Sequence, residues 1–201
     1  MTQMKTSDSD SARLPPGQKW IDRILRWGVD HPGITPDNPK FNPESWKLTV
    51  DGEVENPVVL GWRELLELPA HESVSDFHCV EGWSVTDRKW FGVRFSSLTA
   101  IVKPKPNARH VFFTCMDGYT TSLELADLLE DNVILAYKHD EEYLEESLGA
   151  PLRLVVPKKY AYKSAMWLEK ITFMKTKKLG YWEQRGYSDT ADIWKNDRCA
   201  K

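Results

Sequence analysis

Of the three cysteines in this 201-residue chain, Cys79 has the setting best suited to chemistry, in the run Asp76-Phe77-His78-Cys79-Val80-Glu81-Gly82-Trp83-Ser84. It has no partner at Cys-x-x-Cys spacing, so it cannot anchor a structural zinc site by itself. Three roles stay open to it: a packed core thiol, a reactive nucleophile, or a single soft thiolate ligand to a metal held mainly by something else. His78 adjoins it, but neighbours along a strand face opposite sides, which argues against a Cys-His dyad. Gly82 permits backbone angles that other residues avoid. Arg153 is the second position of interest, because it lies between Leu152 and Leu154 in a run that reads as a core strand. On its residues alone it reads as a surface ion pair, since a long charged side chain is rarely buried unpaired.

The Cys79 run resembles the molybdenum-ligating cysteine segment of the sulfite oxidase-like molybdopterin oxidoreductases. Two later stretches extend the likeness in the right order. The first is Gly149-Ala150-Pro151-Leu152-Arg153-Leu154-Val155-Val156-Pro157, continuing through Lys158-Lys159-Tyr160-Ala161-Tyr162-Lys163-Ser164-Ala165-Met166-Trp167-Leu168. The second is Gly180-Tyr181-Trp182-Glu183-Gln184-Arg185-Gly186-Tyr187, so the match runs from about residue 44 to 190. The Cys79 run is similar to the bacterial methionine sulfoxide reductase branch and to short bacterial proteins that carry only the oxidoreductase domain.

The resemblance implies an α+β fold of the sulfite oxidase type, with mixed sheets and short helices. It implies a single molybdopterin whose dithiolene holds molybdenum, with Cys79 as the one protein ligand to the metal. Arg153, Lys163 and the backbone of Ser164, Ala165 and Met166 match positions that hold the cofactor. His78, Cys115 and Asn38 are further cofactor-binding candidates; Cys115 stands where the branch has a threonine. Tyr119 matches an active-site tyrosine, where a phenol could hydrogen-bond an oxo or substrate oxygen. On its residues alone it is also a hairpin aromatic packing across strands.

The reaction implied is oxygen-atom transfer on a small oxo substrate such as a sulfoxide or N-oxide. Electron transfer would need a separate donor or acceptor protein, such as a haem subunit, because no Cys-x-x-Cys-His motif is present. The segment Glu81-Gly82-Trp83-Ser84 lacks the arginines that follow the cysteine in sulfite oxidases, which weakens sulfite as substrate. Met166 stands where relatives carry lysine. The rival readings are sulfite oxidation, a metal-free thiol enzyme with His78 or His110 as base, and a non-catalytic pterin-binding module.

These residues must be positioned by the surrounding elements. Residues 1–19 are expected to form a flexible arm and residues 20–201 a single domain. Trp20, Ile21, Ile24, Leu25 and Trp27 recur at helical spacing, which predicts a short helix over 19–27. Residues 28–43 hold four prolines and form an irregular segment of a length that often lines a site. Asp51-Gly52 and Asp117-Gly118 read as hairpin turns. Short helices are predicted over 62–68 and 96–102, and the Thr121/Glu124 capping box predicts another over 122–130. Strands are predicted at 46–50, 111–116, 133–137, 152–156 and 171–174.

The formal net charge of -3 gives no bulk attraction to nucleic acid. Three widely spaced cysteines are not a disulfide framework. No apolar run reaches transmembrane length. Residues 1–10 lack an apolar signal core and a twin-arginine pair, so the cytoplasm is the expected compartment.

Overall fold

The computed structural model describes residues 13–200. The strong β-formers between residues 46 and 174 become two sheets rather than one. The first begins with β1 (Lys19–Trp20), followed along the chain by β2 (Lys47–Gly52) and β3 (Val58–Gly61) of the other sheet. Next come β4 (Ala70–His78), β5 (Trp83–Arg94), β6 (His110–Cys115), β7 (Thr120–Glu124) and β8 (Ile134–His139). The last are β9 (Glu142–Tyr143), β10 (Arg153–Val155) and β11 (Leu168–Met174).

The six-stranded sheet runs β1-β5-β8-β10, with β4 on the other edge of β5 and β9 on β8. The five-stranded sheet runs β3-β2-β11-β6-β7, and β2 and β11 pair in parallel. Short helices α1 (Trp62–Leu66), α2 (Phe95–Val102) and α3 (Leu125–Leu128) fill the corners. Among the described residues no helix is long and apolar enough to cross a membrane.

The cores differ in what they support. Leu48, Val50, Phe95, Phe113, Ile171 and Phe173 pack over the five-stranded sheet. Ile24, Phe77, Trp90, Ile134, Leu148 and Val155 form a smaller cluster on the six-stranded sheet. Burying side chains of this size is worth about 1.5–3 kcal/mol each.

Three local expectations are corrected. Residues 19–27 are not a helix. The Lys19 and Ile21 amides donate to the Gly82 and Ser84 carbonyls at 2.8 and 2.9 Å, so the edge of β5 takes the donors that a helix would use. A nine-residue helix is marginal alone and loses to such an edge. The capping box at Thr121 does not form, because Thr121 lies in β7 and its hydroxyl donates to Glu183 Oε1 at 2.6 Å; helix is confined to α3. Asp51-Gly52 ends β2 without making a two-residue hairpin, since β3 resumes only at Val58.

Of the arm expected over residues 1–19, residues 1–12 lie outside the described residues. From residue 13 onward the chain is docked: Arg13 pairs with Asp76 and Asp87, both at 3.0 Å.

Candidate active site

Cys79 opens the tight turn between β4 and β5. His78 pairs with Ser84 across the two strands, and the four residues Cys79–Gly82 reverse the chain. The Gly82 amide donates to the Cys79 carbonyl at 3.1 Å, and the Cys79 amide donates to the Trp83 carbonyl at 2.9 Å. Gly82 takes φ 103°, a conformation that strains any side chain with a Cβ. The turn leaves Cys79 half-buried at the wall of a cavity of about 300 Å³, within the size range of small-molecule sites.

The cavity floor is apolar, supplied by Ile24, Phe77 and Leu148. Its walls carry Trp27, Trp83, Trp167, Trp182, Tyr119 and Tyr187. The irregular segment after Gly28 contributes His31, Pro32, Gly33 and Ile34, so its expected role in lining a site matches the observed geometry. Asn38 braces that segment by donating to the Trp27 carbonyl at 2.7 Å.

Arg153 also lines the cavity, and its surroundings are unusual. The side chain is 2% exposed. Its guanidinium donates to the carbonyls of Leu148 (2.9 Å) and Ser164 (3.4 Å), and it lies 5.0 and 5.2 Å from the Phe77 and Trp90 ring centres. Nε has no partner, and no carboxylate pairs with the group among the described residues. Burial lowers its pKa to about 9, so it remains a cation at neutral pH. A buried cation satisfied only by carbonyls and rings is incompletely compensated, and an anion bound in the cavity would complete it.

The Cys79 thiol has the opposite character to an activated nucleophile. Burial pushes its pKa up to about 12, and nearby Glu81, whose Oε2 lies 3.8 Å from Sγ, adds to this. His78 does not help, since its Nδ1 is engaged with Ser84 Oγ at 2.7 Å, and His110 lies along a separate small cleft. Glu81 is held in turn by Trp83 Nε1 at 3.2 Å and faces His31 Nε2 at 3.4 Å.

The structure brings Cys79, Tyr119, Arg153, Ser164 and Met166 to the same cavity and leaves the other sequence candidates outside its walls. Tyr119 donates its hydroxyl to the Tyr162 carbonyl at 2.5 Å, and burial holds its pKa far above the usual phenol range. Lys163 is fully buried but committed elsewhere, to the Glu183 carboxylate, the Ser122 carbonyl at 2.9 Å and Asp189 at 3.6 Å. Cys115 is fully buried in the core of the five-stranded sheet. The Ala165 carbonyl accepts from the Leu154 amide at 2.8 Å, which fixes the segment after Lys163 against β10. Sequence reasoning gave no role to Glu81, His31, Trp182 or Tyr187. Glu81 stands two residues after the motif cysteine, and Trp182 and Tyr187 lie within the third stretch, but nothing in the sequence aimed them inward.

The donor set limits the chemistry. Among the described residues no three His, Cys, Asp or Glu side chains converge on a point that could hold a metal. A metal at Cys79 would therefore need most of its ligands from a bound group, and an anionic group would find Arg153 in the same wall.

The family comparison defines the class, a molybdopterin-binding oxidoreductase. Residues 35–182 match the family model described as the oxidoreductase molybdopterin binding domain, and the chain belongs to that family. It is an enzyme of the sulfite oxidase-like class. Among curated relatives, the uncharacterized oxidoreductase YuiH of Bacillus subtilis (strain 168) is 38% identical over 195 residues, 96% of each chain. The protein-methionine-sulfoxide reductase catalytic subunit MsrP of Campylobacter jejuni is 31% identical over 166 residues, 74% of this chain and 56% of that protein. Among solved structures, the sulfane dehydrogenase SoxCD of Paracoccus pantotrophus shares the fold with a TM-score of 0.68 at 15% identity, covering 92% of this chain and 58% of that one.

Proposed function

We propose that the protein catalyses oxygen-atom transfer on a small neutral oxo substrate such as a sulfoxide or N-oxide, with molybdenum as the metal and Cys79 as its one protein ligand. The observation that carries this reading is the pairing of a lone cysteine and an uncompensated buried cation in one cavity wall. The cofactor, when bound, supplies two-electron exchange and the site that carries the transferred oxygen. Arg153 would hold its anionic portion, and the backbone at Ser164 and Met166 would border it. The aromatic walls exclude water and suit a substrate with an apolar substituent. Glu81 beside Cys79 repels an anion such as sulfite, which supports a neutral substrate.

A separate protein would exchange electrons with the site; the MsrP relative is itself named a catalytic subunit.

The test is elemental analysis for molybdenum, with a fluorescence assay for released pterin, on protein made in a host that supplies molybdopterin. One of each per chain is expected, with reduction of a small sulfoxide by a chemical donor. Cys79→Ser should abolish turnover while the protein keeps its fold. Full turnover in that variant would refute the ligand role.

A further inference from the structure

The Cys79–Gly82 turn is gripped by two segments remote from it in sequence. Turn carbonyls that fall outside a regular ladder need donors from water, side chains or other backbone segments. Here the Cys79 carbonyl accepts from Gln18 Nε2 at 3.1 Å, and the Gly82 carbonyl accepts from the Lys19 amide at 2.8 Å. The Val80 carbonyl accepts from Arg198 Nη1, whose Nη2 donates to the Gly17 carbonyl at 3.0 Å. One guanidinium thus ties the turn to the segment that holds its other side.

The guanidinium is itself anchored. Its Nε donates to Asn196 Oδ1 at 2.8 Å, an oxygen that also accepts from the Tyr160 hydroxyl at 3.1 Å. Its central carbon lies 5.4 Å from the ring centre of Tyr160, which is buried with Ala191 and Ile193 in a cluster that Val80 packs against. Space for the contact comes from two glycines. A Cβ on Gly17 would sit 3.0 Å from Arg198 Nη2, and one on Gly82 would sit 3.2 Å from the Gly17 carbonyl. Both glycines have positive φ, 72° and 103°.

We propose that Arg198 is a positioning residue for Cys79: together with Gln18 it clasps the Cys79–Gly82 turn by its carbonyls and so fixes the direction in which Sγ projects into the cavity. This rests on the reading of Cys79 as the metal ligand. A tight turn at a sheet end belongs to the part of a protein that opens most readily, and a fork of fixed N–H donors is suited to holding it closed.

The test compares Arg198→Ala and Arg198→Lys with the parent, cofactor-free and loaded. In Arg198→Ala, hydrogen exchange at the Cys79 and Gly82 amides should rise about ten-fold, while protection in β6 and β11 stays unchanged. Arg198→Lys should fall between, since an ammonium is a point donor that cannot span both the Val80 and Gly17 carbonyls. In loaded protein, the thiolate-to-metal absorption should shift in Arg198→Ala and return part-way in Arg198→Lys. Unchanged exchange at the turn, or an equal rise throughout the protein, would overturn the clasp. Faster exchange with an unmoved absorption would overturn its bearing on the metal. If Cys79→Ser also leaves that absorption unmoved, the ligand reading itself has failed, and the exchange data still decide the clasp separately.

Discussion

Arg153 and Lys163 lie ten residues apart, and both are buried cations that sequence resemblance assigned to the cofactor. Their surroundings differ. Lys163 meets two carboxylates, Glu183 and Asp189, and a backbone carbonyl. Arg153 meets two carbonyls and two aromatic rings, with one nitrogen left over. A charge taken out of water must be compensated somewhere. Where the chain supplies carboxylates, the cation is part of the frame that ties β7 to the Gly180–Tyr187 stretch. Where it supplies none, an anion from outside would complete the compensation, which is the role proposed for Arg153.

The contrast can be broken most directly from the Lys163 side. Lys163→Met leaves Glu183 buried without its cation and should destabilise the protein by about 3–5 kcal/mol in urea unfolding, with Glu183→Leu in the same chain recovering much of the loss. Arg153→Met should be milder in cofactor-free protein, costing about 1–2 kcal/mol, because it strips donors from the Leu148 and Ser164 carbonyls but orphans no carboxylate and removes a buried charge. The same variant should retain pterin at least about ten-fold less well, the worth of hydrogen bonds to a charged group. Equal destabilisation by the two substitutions would erase the distinction.

Tyr119 joins the two sides, lining the cavity while bonding the carbonyl next to Lys163. Tyr119→Phe leaves the Tyr162 carbonyl without that donor and should cost about 1–3 kcal/mol of stability.

The smallest expected effect sharpens the Arg153 side alone. Burial lowers the His139 pKa to about 4; Asp140 opposes this, and Arg153 then adds to the lowering, with Arg88 and Arg26. Between pH 6.5 and 4 the unfolded chain therefore holds the extra proton, and stability is lost as pH falls through that window. Arg153→Met should raise the pKa of His139, visible in an NMR titration, and narrow the window. An unmoved titration would mean that the guanidinium charge is already screened.

Local signals in the sequence were read well where side-chain pattern decides structure. Val111-Phe112-Phe113 is β-branched and aromatic and became the buried centre of β6. Phe95–Val102 is helical within one residue of expectation. Residues 19–27 carried a helical spacing of apolar groups, but the spacing describes which faces are apolar and not which backbone donors a neighbouring strand will take. Cys79, Arg153, Tyr119, Ser164 and Met166, all singled out from the sequence, line one cavity, and all but Tyr119 lie in the quoted motif stretches. Lys163 shows the limit. Its partners stand 20 and 26 positions later, and nothing local distinguishes a lysine that will meet them from one that will meet a ligand. Arg198 is further still, 118 residues from the carbonyl it holds.

The parallel pairing of β2 with β11 bears on how the chain is made. β11 is the middle strand of its sheet, so the β2–β3 and β6–β7 hairpins are joined in the sheet through it. Its contacts to β2 span about 120 residues, as between Asp51 and Thr172. A nascent chain that has not yet reached Leu168 therefore holds two hairpins with open edges and no continuous sheet. Such long-range closure is slow, and it exposes those edges to other chains while it waits. Trp182 and Tyr187 of the cavity wall are synthesised later again, so the pocket cannot be complete until all of β11 has been made.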